Sequence, residues 1–219
     1  KTFHGGNIGH RASMSGPQAS TPPIDTTQEF RSAICLTLDS FGIKVKAHRP
    51  GTVITPLALI TGFHTLVQQA DAQQWLKYVV HQTAHHYGKT ATFMPKPLLI
   101  GKGSGIYCQQ FLCKDNQNIF IDPARAGLSE TALFYIGGLL KHARALNALT
   151  NPAINSYTRL KIDSDAPVFL TYAMNHPATA VHISRPTHAQ QWVELRFPDA
   201  TANPYLSFAA QLMAGLDGI

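Results

Sequence analysis

The sequence predicts an α+β fold with a largely antiparallel sheet. Segments with apolar residues at helical spacing are interspersed with short alternating or apolar segments. The links between the short segments are tight, and Asp115-Asn116 reads as a hairpin turn. The 219 residues suit one domain, or one large domain with a fragment of a second, and 44% hydrophobic against 14% charged residues argues against a disordered chain.

Residues 1–24, rich in Gly, Ser, Pro and Thr, read as an extended loop closing at Thr21-Pro22-Pro23. Asp25 or Thr26 is then positioned to cap a helix, since Thr26-x-x-Glu29 has the capping-box form; Phe30, Ala33, Ile34, Leu38 and Phe41 mark its inner face and Gly42 its end. Alternation of Ile43, Val45 and Ala47 with Lys44 and Lys46 predicts a half-buried strand, followed by a turn over residues 48–56 and a strand from Leu57 to Phe63. Asp71 marks the start of a second helix, with Leu76, Val79, Val80, Ala84 and Tyr87 inward, and Gly88 stops it. Strands are expected at Thr90–Phe93 and Ile106–Cys113. A third helix runs from Ser129 to about Leu149, apolar on most sides and hence central, and residues 151–167 read as a long irregular loop. Val168–Tyr172, Thr179–Ile183 and Trp192–Phe197 are predicted strands, and Asn203-Pro204 opens a last helix with Pro at its first position.

The basic excess, 18 Lys and Arg against 12 Asp and Glu, is scattered rather than clustered, so no nucleic-acid partner is expected. Cys35, Cys108 and Cys113 are odd in number and lack CxxC spacing, which argues against disulfides or a zinc site and for a reducing cytoplasm. No apolar run approaches the roughly 20 residues of a spanning helix, so no membrane role is expected. The opening Lys-Thr-Phe-His-Gly-Gly is not a signal peptide and reads as mid-protein sequence.

Chemistry-bearing residues are sparse. Glu29, Glu130 and Glu194 are the three glutamates. His81 and His85 have i, i+4 spacing, but no Glu lies between them, which excludes a HExxH centre and leaves structural histidines. Gly103-x-Gly105 could cradle a phosphate through backbone N–H groups, although no helix start follows it as in a P-loop. Apolar flanks make Cys108 a buried thiol rather than a nucleophile.

A series of segments spans almost the whole chain in order. It comprises Gly5-Gly6-Asn7-Ile8-Gly9-His10-Arg11, Pro22-Pro23-Ile24-Asp25, Lys77-Tyr78-Val79-Val80-His81 and Gly88-Lys89-Thr90-Ala91-Thr92-Phe93-Met94-Pro95-Lys96-Pro97. Further along come Gly103-Ser104-Gly105, Ala126-Gly127-Leu128-Ser129-Glu130, Tyr135-Ile136-Gly137-Gly138, Asn155-Ser156-Tyr157 with Arg159-Leu160, and Ala166-Pro167-Val168. Glu194-Leu195-Arg196-Phe197-Pro198-Asp199 with Asn203-Pro204-Tyr205 closes it. Together these resemble the catalytic domain of glutamine synthetase, most closely the bacterial dodecameric type.

The resemblance implies a curved antiparallel sheet flanked by helices, with residues 1–219 as a partial catalytic domain lacking the family's small N-terminal domain and C-terminal segment. It implies an ATP-dependent ligation of ammonia to glutamate, with magnesium or manganese as cofactor and a homo- or hetero-oligomer of glutamine synthetase-like subunits as the assembly. By matching position, Glu194 is a metal ligand, and Gly103, Arg159 and Arg196 contact substrate. Asp165 takes the place of a catalytic flap glutamate, one methylene shorter. Tyr107 replaces a metal-binding His, and Gln109 and Phe111 occupy nucleotide-contact positions. The family's metal-holding His-His-Glu segment reads Ala47-His48-Arg49-Pro50-Gly51, without a carboxylate. Its arginine cluster becomes Met174-Asn175-His176-Pro177 with His182. Magnesium needs an oxygen-rich shell, mainly carboxylates, so the leading expectation is a non-catalytic member of the family. The alternatives are an active glutamate–ammonia or glutamate–amine ligase, and a nucleotide- or amino-acid-binding or assembly module.

Overall fold

The computed structural model describes residues 25–51, 57–98, 100–122, 127–161, 166–174, 176, 178–187 and 190–219. The predicted loop at 1–24 and the positions Asp165, Asn175 and Pro177 lie outside them. Two compact units form. Among the described residues the first runs to Phe93 and includes Pro97–Lys102, and the second holds Met94–Lys96 and Gly103–Ile219.

In the first unit, α1 (Gln28–Ser40) and α2 (Leu66–His86) pack together beside a hairpin of β1 (Val45–Arg49) and β2 (Ala58–Thr61). Phe30, Ile34 and Leu38 of α1 meet Leu76, Val79, Val80 and Ala84 of α2 in an apolar core. Each such side chain contributes about 1.5–3 kcal/mol on burial. Both helices end where the glycines predict. Gly42 (φ 78) and Gly88 (φ 61) take the left-handed conformation, and the following amides, Ile43 and Lys89, donate to Leu38 O at 2.9 Å and Ala84 O at 2.8 Å.

The starts differ from expectation. No capping box forms at Thr26: the N-cap is Thr27, one residue later, without a side-chain cap bond, and the other candidate cap, Asp25, is bonded to Thr27 and Arg31. Its carboxylate accepts from Thr27 N at 3.1 Å and from both terminal nitrogens of Arg31, at 2.9 and 2.6 Å. Arg31 Nε donates to His48 Nδ1 at 3.0 Å, which requires that nitrogen unprotonated. Helix α2 begins one and a half turns before Asp71, at the N-cap Thr65, where Gln68 Oε1 lies 3.4 Å from Thr65 N. Strand β1 is exposed over most of its length rather than half-buried, and Thr90–Phe93 is not a strand.

The second unit is built on a four-stranded sheet in the order β3 (Cys108–Gln110), β10 (Gln190–Leu195), β9 (Thr179–Thr187), β8 (Phe169–Ala173). The β3, β10 and β9 pairings are antiparallel, and β8 runs parallel to β9. Side chains alternate along a strand. Val181 and Ile183 of β9 and Val193 and Leu195 of β10 therefore point to one face, where they meet Phe120, Tyr135, Ile136, Leu139 and Leu146. Two small ladders, β4 (Cys113–Lys114) with β5 (Gln117–Asn118) and β6 (Ile121–Asp122) with β7 (Gly127–Leu128), precede the helices. Asp115 (φ 51) and Asn116 (φ 60) make the expected hairpin turn between β4 and β5.

The predicted third helix is two helices, α3 (Glu130–Lys141) and α4 (Ala143–Thr150), separated at His142. Ser129 caps α3 by accepting from Ala132 N at 3.1 Å. The predicted 151–167 loop contains a short helix, α5 (Ile154–Arg159). As expected, Asn203 caps α6 (Pro204–Gly218), accepting from Tyr205 N at 3.0 Å. Helices α3 and α6 pack backbone on backbone: a Cβ at Gly138 would strike Ala214 O and come within 2.8 Å of Gly218 N. Among the described residues no helix is long and apolar enough to cross a membrane.

Candidate functional site

With the odd-numbered residues of β10 committed to the core, Glu194 falls on the sheet's other face. It is in register with Gln109 of β3 on one side and His182 of β9 on the other. The packed strands leave it 8% exposed, so its charge needs partners from the protein. Gln109 Nε2 donates to Oε2 at 2.9 Å. Arg196, two residues on and therefore on the same face, brings Nε to 3.3 Å from Oε1 as an ion pair. The Arg196 guanidinium carbon lies 4.4 Å over the ring of Tyr107, a cation–π contact. Glu194, Gln109, Arg196 and Tyr107 thus form one chain of contacts.

Arg159, on α5, does not reach this carboxylate. It is buried, and its Nη2 donates to the main-chain carbonyls of Phe197 and Pro198, the latter at 3.0 Å, with Arg196 O at 3.4 Å. Its Nε has no hydrogen-bond partner among the described residues. Burial pushes its pKa down, and the Asp199 carboxylate acts against that shift. The Gly103–Gly105 loop lies against the same side chain. A Cβ on Gly103 would strike Arg159 Cγ and sit 2.8 Å from Pro95 O, and one on Gly105 would lie 2.5 Å from Arg159 Nη1. At Gly103 the fixed Pro95 carbonyl leaves no room for a side chain, and at Gly105 the Arg159 guanidinium would have to shift. The loop is fixed by Ser104 N donating to Pro95 O at 2.7 Å, and Lys96 by two hydrogen bonds with Asn155: its N–H donates to Oδ1 at 2.6 Å and its carbonyl accepts from Nδ2 at 3.0 Å.

The turn after β10 is held by residues that sequence reasoning missed. Asn151 donates to Phe197 O at 2.7 Å and to Asp199 Oδ2 at 3.1 Å, while Asp199 Oδ1 accepts from Thr201 N at 2.9 Å. Asn151 and Asp199 are fully buried. The Pro198-Asp199 dipeptide before an Asn-Pro cap carried a usable signal, since Asp commonly bonds the amide two residues on. Asn151 carried none.

Phe111, just past β3, packs against the core. Cys108 is partly buried against the core, and this desolvation pushes its pKa up to about 12. His81 sits edge-on to Phe93, and among the described residues no group of three or more His, Cys, Asp and Glu could hold a metal ion. Around Glu194 the groups are one carboxylate, an amide that faces it, a guanidinium, a phenol and, in register on β9, the imidazole of His182. That set suits an internal ion pair more than the oxygen shell of a divalent cation.

The family model described as the catalytic domain of glutamine synthetase matches residues 3–219. Glutamine synthetase of Vibrio cholerae serotype O1 is 49% identical over 219 residues, covering 99% of this chain and 47% of the relative. The enzyme of that name from Escherichia coli K12 is 47% identical with the same coverage. The solved cryo-electron-microscopy structure of Plasmodium falciparum glutamine synthetase superposes with a TM-score of 0.79 at 32% identity, over 91% of this chain and 39% of that one. The chain therefore spans about half the length of the curated relatives it matches.

Proposed function

Because the chain belongs to the glutamine synthetase family through its catalytic domain, we propose that it is a glutamine synthetase-like domain that does not itself carry out the family's reaction. That reaction is the ATP-dependent ligation of ammonia to glutamate. It moves a phosphoryl group onto a carboxylate, and its charge must be neutralised by divalent magnesium or manganese during transfer.

The observation that carries this reading is the engagement of Glu194 by its own chain, through Gln109 on one oxygen and Arg196 on the other. The residues present do not fit the cation the family implies. Tyr107, at the position of a metal-binding His, presents its ring to Arg196. Gln109, at a nucleotide-contact position, uses its amide on Glu194, and Phe111 is turned to the core. The Ala47–Gly51 segment offers no carboxylate. With too few anionic oxygens, no catalytic step is assigned to a metal here. On the same reading the setting is the cytoplasm, and the partners are subunits of the same family.

The test is an ADP-release or hydroxamate assay on purified protein with glutamate, ATP and magnesium or manganese. The expected result is no turnover above a Glu194→Ala control; turnover clearly above it overturns the reading.

A further inference from the structure

We propose that His81 and His85 form a two-imidazole clip for a divalent transition-metal ion of the nickel and zinc class, on the last two turns of α2. The pair belongs to the first unit and uses no residue of the Glu194 cluster, so it goes beyond the reading above. Residues four apart on a helix stand one above the other, with Cβ atoms about 5–6 Å apart. That span lets two imidazole nitrogens share one ion at about 2.0–2.1 Å each, as the two histidines of a HExxH helix do. The absence of a Glu between them removes the protease chemistry and leaves the chelating pair intact.

The two rings expected to be structural stand at the surface. Val80 and Ala84, each one residue earlier, are buried in the α1–α2 core, whereas His81 and His85 are exposed. Among the described residues, no hydrogen bond or ion pair engages either ring. Phe93 steadies His81, the two rings meeting edge-on with centroids 5.4 Å apart, and a ring already held loses less freedom on binding. Helix α2 ends at His86, so an ion on this pair meets the carbonyl end of the helix dipole, which favours a cation. No group of three or more His, Cys, Asp and Glu forms among the described residues, so the site has two protein ligands and is exchangeable rather than a closed four-ligand centre. Imidazole suits nickel, zinc and copper, while magnesium takes oxygen ligands. The pair therefore selects a different class of ion from the one the family's reaction needs.

The test follows the thermal midpoint of the whole chain during titration with nickel(II) chloride, against sodium chloride at matched ionic strength. An ion held by the folded helix raises the midpoint saturably. In a chelate the second ring binds at the effective concentration set by the first. His81→Gln and His85→Gln should therefore each weaken half-saturation by about a hundredfold, and calorimetry should count one nickel ion fewer per chain than for wild type. His86→Gln, one position round the helix, should leave both readouts unchanged. The magnesium response of the chain should be the same in wild type and His85→Gln. Wild-type half-saturation retained in His81→Gln or His85→Gln, an equal loss in His86→Gln, or a magnesium response that His85→Gln removes overturns the proposal. Should His81→Gln unfold through loss of the Phe93 contact, His85→Gln decides by itself, since among the described residues no hydrogen bond or ion pair engages that ring.

Discussion

Gln109 and Glu194 face each other across the β3–β10 pair, with the amide of one held 2.9 Å from the carboxylate of the other. A hydrogen bond to a charged group contributes about 1.5–3 kcal/mol, and a buried carboxylate that loses its donor keeps its desolvation cost. Gln109→Leu is therefore expected to lower unfolding stability in urea by about that amount. Gln109→Glu, which sets like charges directly opposite, should cost more. A loss for Gln109→Leu within about 0.5 kcal/mol, the range of ordinary surface changes, would mean the contact does not hold the carboxylate.

Asp25 and Arg31 form a buried pair, with side chains 3% and 4% exposed. The Arg31 hydrogen bond, helped by Thr27 and opposed by burial, holds the Asp25 pKa far below its ordinary 3.8. Since the folded value is depressed, the carboxylate's contribution is complete above about pH 5 and is lost as pH falls from about 4 toward the folded pKa. The stability gap between wild type and Asp25→Asn should be flat at neutral pH and narrow only in strong acid. Arg31→Met leaves the buried charge alone and should cost about 3–5 kcal/mol at neutral pH. A gap that narrows between pH 7 and 5 contradicts this assignment.

Cys108 and Cys113 should differ sharply toward a thiol reagent at pH 8. Cys113 is exposed. Cys108 is held in its thiol form by burial, with a pKa near 12, and its sulfur accepts from Gln211 Nε2 at 3.7 Å. The thiolate is the reactive form, so Ellman titration of native protein should modify Cys113 quickly and Cys108 only on unfolding. Matching rates in a Cys113→Ser comparison would show the core around Cys108 to be open.

The helices of this fold were largely legible because their signals are local. Gly42, Gly88, Ser129 and Asn203-Pro204 mark ends and caps by backbone chemistry that no tertiary contact overrides. The capping box at Thr26 does not form because α1 starts one residue later than it requires, with Thr27 as the N-cap. The start of α2 was readable at Thr65-x-x-Gln68 and was missed in favour of Asp71. The break at His142 was hidden by an apolar pattern that continues across it; a hydrogen bond from His142 N to Gly138 O keeps the two helices nearly continuous.

Strand pairing was less legible. Nothing local in Val168–Tyr172 tells that β8 lies parallel to β9, since pairing direction is set by where the chain returns. At the site, the strand carrying Glu194 and Arg196 was readable as a unit. The partners of its side chains were not, because Gln109 and Tyr107 meet them through a pairing that spans 85 residues between Gln109 and Glu194. Arg159 is a further case: the resemblance makes it a substrate contact, while the main-chain carbonyls that its Nη2 meets carried no signal in the sequence.

Direct titration with manganese, followed by electron paramagnetic resonance in the presence of a non-hydrolysable ATP analogue, probes the central claim most closely. With Glu194 tied to Gln109 and Arg196, wild-type protein is expected to take up no more tightly held manganese than Glu194→Gln. Two saturating ions on the wild-type chain, absent from Glu194→Gln, would contradict it.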